Sequence, residues 1–317
     1  MKSNSILLLL VLALTPFFAG AQLSGGPYWE AGVTAGPIVF MGDLGGNYGQ
    51  GTTFLKDYNL PVTRVTVGAY ATYYPQEWLG VRFMINHGEL YGNDALIKTT
   101  SGDAVTRKDR NLDFRTQLNE ALVIAEIDPT VFLEDQPEDR QGRIRPYGLL
   151  GLGLFHFNPQ GTYTEPSSGD VVWVDLRALH TEGEGFPEYP DRKMYSLIQP
   201  NIPMGFGAKY FFSDNVNISA EVLHRKTFTY YIDDVSTTYI DPSLFYKYLP
   251  ASQAAIAAAV SNKSVDGYDT PGYEPGDKRG DHTQYNAYFS FNLKVSIRLG
   301  GDGDRWRNST HCPLIRF

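Results

Sequence analysis

The sequence predicts an all-β protein, an eight-stranded antiparallel transmembrane β-barrel with long extracellular loops and short periplasmic turns. Three observations carry this prediction. Eight segments alternate between apolar and polar residues, long and short connections follow one another in turn, and the N-terminus has the pattern of an export signal. Successive side chains of a strand point to opposite faces, so such alternation indicates strands with one apolar face. About 9–11 tilted residues per strand suffice to cross a bilayer.

The N-terminal residues 1–21 are predicted to be a secretory signal peptide. Lys2 precedes an apolar run from Ile6 to Phe18, and Ala19-Gly20-Ala21 supplies small residues for cleavage. The run is too short for a spanning helix, and no later apolar run approaches about 18 residues. We therefore expect the barrel to occupy residues 22–299 and a periplasmic C-terminal tail to occupy residues 300–317.

The eight strands are predicted from the same two-residue period. The last, from Tyr285 to Leu299, is the clearest, because its odd-numbered residues are all apolar or aromatic and its even-numbered residues are nearly all polar. Pro200 and Pro203 cannot donate to a β-ladder, so regular pairing of the sixth strand is expected to begin near Met204. The predicted strands span residues 29–40, 62–74, 78–91, 111–127, 145–157, 197–212, 216–231 and 285–299.

The connections alternate in length. Those at 75–77 and 213–215 are short and that at 128–144 is intermediate, whereas those at 43–61, 92–110, 158–196 and 232–284 are long. Outer-membrane barrels combine short periplasmic turns, long extracellular loops and an even number of strands. Within the last long loop, the alanine-rich stretch from Ala251 to Val260 is predicted to be a short helix.

Composition agrees with a barrel in the outer membrane. Mean hydropathy is −0.27, which suits strands that turn only alternate residues to lipid. Aromatic residues make up 14% of the chain, enough for girdles at both interfaces, and the formal charge of −8 argues against a nucleic-acid partner.

The polar strand faces predict a network of charges inside the barrel. An eight-stranded barrel is just wide enough for its interior to be filled by side chains, so these charges are expected to pair and plug the lumen. In the fourth strand, Leu112, Phe114 and Leu118 are assigned to the apolar face and Asp113 and Arg115 to the polar one. The predicted network is Glu30, Arg64, Arg82, Asp113, Arg115, Lys209, Glu221, Arg225, Lys294 and Arg298.

Catalytic chemistry is not predicted. The histidines are scattered and no serine elbow accompanies them, so a nucleophile with a base and an orienting group is missing from the sequence pattern. We expect no enzyme activity, no metal site and no cofactor. Cys312, the single cysteine, suggests an intermolecular disulfide or a free thiol, and both alternatives remain open.

Several segments together resemble one family. In order and spacing, they resemble the PorG-like outer-membrane β-barrel family of the type IX secretion system over nearly the whole mature chain. The segments are Gly42-Asp43-Leu44, Arg110 to Arg115, Pro146-Tyr147, Phe157-Asn158-Pro159, Leu179 to Gly185, Gln199 to Gly207 and Arg225 to Ser236. The resemblance implies a barrel that anchors or stabilises the periplasmic ring of a PorK-like lipoprotein and a PorN-like protein, in contact with outer-membrane lipid and lipopolysaccharide.

A periplasmic partner would meet the 128–144 link and the C-terminal tail. The residues we assign to that contact are Phe132, Glu134, Arg140, Arg305, Trp306, Arg307 and Cys312. The alternative function is a small porin or a hydrophobic-ligand channel outside the secretion machine. Adhesion through the long tyrosine-rich loops is a further alternative.

Overall fold

Eight long antiparallel strands close into a barrel in the computed structural model, which describes residues 27–44, 60–97, 103–134, 142–213, 215–264 and 273–299. The barrel strands are β1 (Tyr28–Met41), β2 (Arg64–Gln76), β3 (Leu79–Asn93), β4 (Asp113–Ile127), β5 (Ile144–His156), β8 (Ile198–Phe211), β9 (Val216–Thr227) and β10 (Ala287–Leu299). Each barrel strand pairs with the barrel strands before and after it in sequence, and β1 pairs with β10, so the barrel is closed.

The predicted eight-stranded antiparallel fold is confirmed, with one notable shift in a boundary. Strand β8 begins at Ile198, not near Met204, and pairs with β5 from the contact Ile198–His156 onward. Pairing with β5 lapses only around Pro203 and resumes at Met204, while pairing with β9 continues through Pro203. A proline removes one donor from one side of a strand, so the ladder on the other side can persist.

The long connections contain structure that the alternation did not predict. A small hairpin of β6 (Gln160–Thr164) and β7 (Val171–Asp175) extends the sheet beyond β4, joined to it at Arg115–Gln160. Helix α1 spans Asp103–Arg110, and α2 (Ser243–Tyr248) packs beside α3 (Ala251–Ser261), which corresponds to the helix predicted from Ala251 to Val260. Within the described ranges, no helix is both long enough and apolar enough to span a bilayer.

The outer wall of the barrel is apolar over the part nearest the short turns. On β5, the outward side chains of Leu150, Leu152 and Leu154 are 60%, 69% and 57% exposed. On β10, Phe291, Leu293, Val295, Ile297 and Leu299 face outward in the same way, with 46–59% of each side chain exposed. A continuous apolar wall around a polar interior is the arrangement of a barrel that sits in lipid.

The polarity of both faces inverts toward the long loops. On β3, the outward residues change from Phe83 and Ile85 to His87 and Glu89, while the inward residues change from Arg82 to Leu90. The strands, at 12–15 residues, are longer than the about 9–11 needed to span a bilayer. Their upper ends therefore project from the membrane and enclose an apolar core, as in a water-soluble protein.

Aromatic side chains mark the lower edge of the apolar wall. Near the short turns, Trp29 packs on Tyr73 with ring centroids 5.1 Å apart. Aromatic residues at the membrane interface are typical of outer-membrane barrels. The chain is an integral outer-membrane β-barrel, with its short turns in the periplasm and its long loops outside the cell.

Candidate functional site

The lower half of the lumen is filled by a buried ionic network. Arg82 on β3 bridges two carboxylates, Glu126 on β4 and Glu221 on β9, with the guanidinium 2.8 Å from Glu221. Lys209 lies 2.8 Å from Glu126, and Lys294 lies 3.2 Å from Glu221. Each of these five side chains is only 0–1% exposed. Because each carboxylate faces two cations from different strands, the network ties opposite walls of the barrel together.

Tyrosines close the gaps around these charges. The Tyr70 ring lies 4.3 Å from the Lys294 ammonium and 5.2 Å from the Arg82 guanidinium. The Tyr147 hydroxyl donates to Glu221 at 2.9 Å. Cations over ring faces and a hydroxyl on a carboxylate satisfy charges that water would otherwise solvate.

A second buried pair lies above this network. Arg225 on β9 contacts Glu120 on β4 at 3.1 Å, with both side chains fully buried. The Glu120 carboxylate also accepts hydrogen bonds from the Tyr288 hydroxyl at 2.7 Å and from the amides of Asn201 at 3.1 Å and Asn86 at 3.2 Å.

Above the ionic layers, the lumen is a dry apolar core. Its side chains come from the upper ends of the strands and from the loops that fold over them. The buried members are Ile38, Phe40, Leu44, Leu90, Leu112, Phe114, Leu118, Phe155, Phe157, Tyr195, Ile232, Val235 and Tyr288. The lumen is therefore filled along its length, first by paired charges and then by packed apolar side chains.

All four long loops meet in a cap over this core, and two arginines join them. Arg110 pairs with Asp94 at 2.7 Å and donates to the backbone carbonyls of Asp43 and Arg279. These contacts connect the loop after β1, the loop after β3 and the loop after β9. The side chain of Arg110 is 5% exposed, so its charge depends on Asp94 and on these carbonyls for solvation.

Arg279 makes the second connection. Its guanidinium lies 2.9 Å from Glu182, in the loop after β5, and donates to the carbonyl of Asp234 at 2.6 Å. Glu182 also accepts the backbone N–H groups of Ser236 and Thr237 at 2.8 and 2.9 Å. One buried ion pair thus fixes two loops that are distant in sequence.

Among the described residues, the cap holds several buried carboxylates close to one another. Burial, together with the neighbouring charges of Asp234 and Glu182, raises the pKa of Glu184 to about 8. Burial likewise raises the pKa of Asp234 to about 6, despite Arg279, and that of Asp43 to about 6. Burial and the charge of Asp43 hold the pKa of Asp233 well above its usual range. The cap therefore takes up protons on folding near neutral pH.

Eight of the ten charges predicted for the interior lie on inward positions: Glu30, Arg64, Arg82, Lys209, Glu221, Arg225, Lys294 and Arg298. Arg64 is at the upper end of β2, and its side chain pairs with Glu89 at the rim, at 2.9 Å. The other two lie at the upper rim, outside the lumen: Asp113 pairs with Lys263, and Arg115 lies 4.3 Å from the Trp173 ring. The assignment of Asp113 and Arg115 to the interior is wrong because β4 has left the membrane there, and its polar face looks outward.

Two interior carboxylates, Glu120 and Glu126, are missing from the predicted set. Both occupy even positions of β4, the face that Phe114 and Leu118 marked as apolar in the sequence. A separate analysis of the lower part of β4 would have assigned Glu120 and Glu126 to the interior. In that part Val123 and Ile127 form the outer face, and they are 48% and 45% exposed.

The predicted partner surface is described only in part. Phe132 is 48% exposed and packs against Trp78 with ring centroids 5.5 Å apart, beside Leu133, which is 85% exposed. Glu134 is paired with Arg143 at 2.9 Å and Arg145 at 2.6 Å, so its charge is neutralised within the barrel base. The remaining assigned residues, Arg140, Arg305, Trp306, Arg307 and Cys312, lie outside the described residues, as do residues 1–21.

Comparison with known proteins finds similarity at low identity among solved structures. No protein-family model matches the chain, and no curated protein matches it in sequence. Among solved structures, it is similar to Ail of Yersinia pestis at 9% identity, covering 87% of this chain and 99% of Ail with a TM-score of 0.33. It is similar to OprG from Pseudomonas aeruginosa at 8% identity, covering 87% and 97% with a TM-score of 0.36. It is also similar to a major outer membrane protein from Thermus thermophilus at 11% identity, covering 86% and 99% with a TM-score of 0.35. The assignment to the outer membrane rests on the closed barrel and its apolar wall.

Proposed function

We propose that this chain is a non-conducting outer-membrane barrel that anchors or stabilises the periplasmic PorK/PorN-type ring of a type IX secretion system. The observation that carries the proposal is the filled lumen. A barrel whose interior holds paired charges below and a dry core above has no path for an exported protein, and it fits a fixed anchor better than a conduit.

The filled lumen also counts against the porin alternative. A water-filled channel needs polar groups that remain solvated, whereas Arg82 and Lys294 are fully buried against carboxylates. A channel for a hydrophobic ligand would need space in the upper lumen, where Phe114, Phe155 and Tyr288 are packed at 0–1% exposure.

The partner itself is proposed from the resemblance to PorG-like proteins, and the periplasmic surface offers a candidate contact. Phe132 and Leu133 project at the short-turn end, on the side where a periplasmic ring would lie. Apolar side chains that stay exposed beside a folded base are typical of protein contacts or of membrane interfaces.

Affinity purification of the tagged barrel from outer membranes tests the proposal, with mass spectrometry to identify partners. We expect the PorK and PorN homologues with the wild-type barrel, and at least tenfold less of both with the double variant Phe132→Ser/Leu133→Ser. The control is Tyr246→Ser, at an exposed position of α2 on the opposite end of the barrel, where 59% of the side chain is exposed. Non-reducing gels of wild type and Cys312→Ser show in the same preparations whether Cys312 forms an intermolecular disulfide.

Two outcomes would refute the anchor. One is a barrel recovered without either ring protein under mild solubilisation. The other is stepwise conductance of the purified wild type in planar bilayers, which a filled lumen does not allow.

A further inference from the structure

The cap contains a cavity of about 840 Å³ whose walls come from two loops. Residues 191–193 of the loop after β5 form one wall, and residues 230–238 and 278–283 of the loop after β9 form the others. All three segments lie on the extracellular side of the barrel. The cavity is separate from the filled lumen and from the periplasmic surface.

The cavity is built on a rigid floor. Thr238 and Lys278 form a β-bridge, and the N–H groups of Arg279 and Gly280 both donate to the carbonyl of Thr237, at 2.9 and 3.0 Å. A Cβ at Gly280 would lie 2.5 Å from the backbone nitrogen of Ser236, so only glycine allows the two segments to approach this closely.

The Glu182–Arg279 ion pair supports this floor from below. The Glu182 carboxylate accepts the N–H groups of Ser236 and Thr237 and the Thr237 hydroxyl, at 2.7–2.9 Å. With Glu182 fully buried, these bonds form in a medium of low dielectric and hold the floor in one conformation. A cavity fixed before binding avoids the entropy of ordering its walls when a ligand arrives.

The lining is rich in hydroxyl groups and has two aromatic rings. The hydroxyls come from Tyr230, Tyr231, Ser236, Thr237, Thr238 and Thr283, and the two rings are those of the tyrosines. None of the lining residues is an aliphatic hydrophobic residue, so its apolar surface comes from ring faces and from the carbon stems of polar side chains.

Several charged side chains of the lining are bonded to other groups of the protein. The Arg192 guanidinium donates to Thr238 and to the carbonyl of Glu182, and Lys278 pairs with Asp281 at 3.0 Å. Hydrogen bonds from Thr283, together with Lys278, lower the pKa of Asp281 to about 2, so this carboxylate stays ionised. Lys193 adds an exposed cation to the lining, so the binding test includes a nucleotide beside the sugars.

We propose that this cavity binds an oligosaccharide presented outside the cell. Sugar rings carry apolar C–H faces and many hydroxyls, and they match the ring faces of Tyr230 and Tyr231 and the exposed carboxylate of Asp191. Tyr231 has one face stacked on Tyr195 at 4.8 Å and Tyr230 has one stacked on Tyr285 at 4.4 Å, so each ring is held in place from behind. Rigid aromatic platforms of this kind contribute to binding at a small cost in entropy.

Binding of the purified full-length barrel, in detergent, to a printed array of bacterial and eukaryotic oligosaccharides tests the proposal. The strongest oligosaccharide is then titrated by calorimetry. Tyr230→Ala is expected to weaken its affinity roughly three- to tenfold, because a ring face is lost, whereas Tyr230→Phe keeps the ring and most of the affinity. Asp191→Ala, at an exposed position, is expected to weaken binding about tenfold through loss of a charged acceptor. Tyr246→Ala, an exposed tyrosine outside the cavity, is the matched control.

The heat-dependent mobility of each variant on gels shows whether it has folded, and the exposed Asp191 variant remains informative if Tyr230→Ala does not fold. Selective loss of binding in the cavity variants supports the proposal. Absence of binding to every oligosaccharide on the array overturns it, as does binding that is equal in all variants. Tight binding of a nucleotide in place of a sugar overturns the ligand class.

Discussion

Replacing Arg225 by methionine is expected to destabilise the barrel by about 5 kcal/mol, because it leaves a carboxylate buried without a cation. Arg225 lies 3.1 Å from Glu120, and both side chains are fully buried. Among the described residues, the other groups bonded to Glu120 are neutral: the hydroxyl of Tyr288 and the amides of Asn201 and Asn86. Three neutral donors offset only part of the lost hydration of a charge.

Arg82→Met should cost less, about 3 kcal/mol, although Arg82 makes two ion pairs and Arg225 makes one. After the substitution, Glu126 keeps Lys209 at 2.8 Å, and Glu221 keeps Lys294 at 3.2 Å. Neither of these two carboxylates is left without a cation. The loss in free energy of unfolding therefore depends on whether a buried charge is left unpaired, and not on the number of ion pairs removed.

Urea unfolding of each variant in lipid vesicles, followed by tryptophan fluorescence and by gel mobility, measures both free energies. Arg225→Met combined with Glu120→Gln should recover about 2 kcal/mol of the loss, since the orphaned charge is removed. The reasoning is refuted if Arg82→Met destabilises the barrel as much as Arg225→Met, or if Glu120→Gln gives no recovery.

Leu152→Arg is expected to destabilise the barrel by about 2–4 kcal/mol in the same urea titration. His156→Arg, on the same outward face of β5, should destabilise it by about 1 kcal/mol or less, because a lipid-facing charge costs less near the membrane interface. Equal losses of stability in the two variants would contradict a membrane boundary that lies between Leu152 and the upper end of β5. Between its usual pKa of 4.5 and the value of about 8 in the cap, Glu184 is protonated when folded and ionised when unfolded, so cap stability falls as pH rises across this window. Glu184→Gln should remove the largest part of that fall, about 5 kcal/mol over the whole window and about 3 kcal/mol between pH 6 and pH 9. The variant's cap should then differ less between these two pH values in hydrogen exchange corrected for the intrinsic rate, with a residual difference from Asp234 and Asp43. A wild-type cap that exchanges alike at both pH values contradicts the prediction. Gly280→Ala should speed hydrogen exchange around Ser236, because the new Cβ meets backbone at 2.5 Å, and unchanged exchange would show that the floor tolerates a shift.

The strands were predictable because each must satisfy two solvents at once. Lipid outside and a filled lumen inside impose a two-residue period, and β10 keeps that period from Ala287 to Leu299. Where a strand extends beyond the membrane, the period does not show whether its apolar face points outward or into the lumen. Phe114 and Leu118 look like lipid-facing residues in sequence, yet they point into the dry core.

The cap could not be predicted, for a different reason. Its contacts join residues far apart in sequence, as Glu182 and Arg279 are, 97 positions from one another. No local period or spacing records such a pair. The hairpin of β6 and β7 was also missed, because five-residue strands that are stabilised by an existing sheet edge carry little pattern of their own.

The inversion of polarity along the strands sets the order in which this protein can be assembled. The upper ends of the strands bear polar groups such as His87 and Glu89 on their outer face, and the cap carries the buried charges of Arg110 and Arg279. These parts must cross the hydrocarbon before the lower, lipid-matched wall can come to rest in it. The loop end of the barrel therefore has to cross the membrane first.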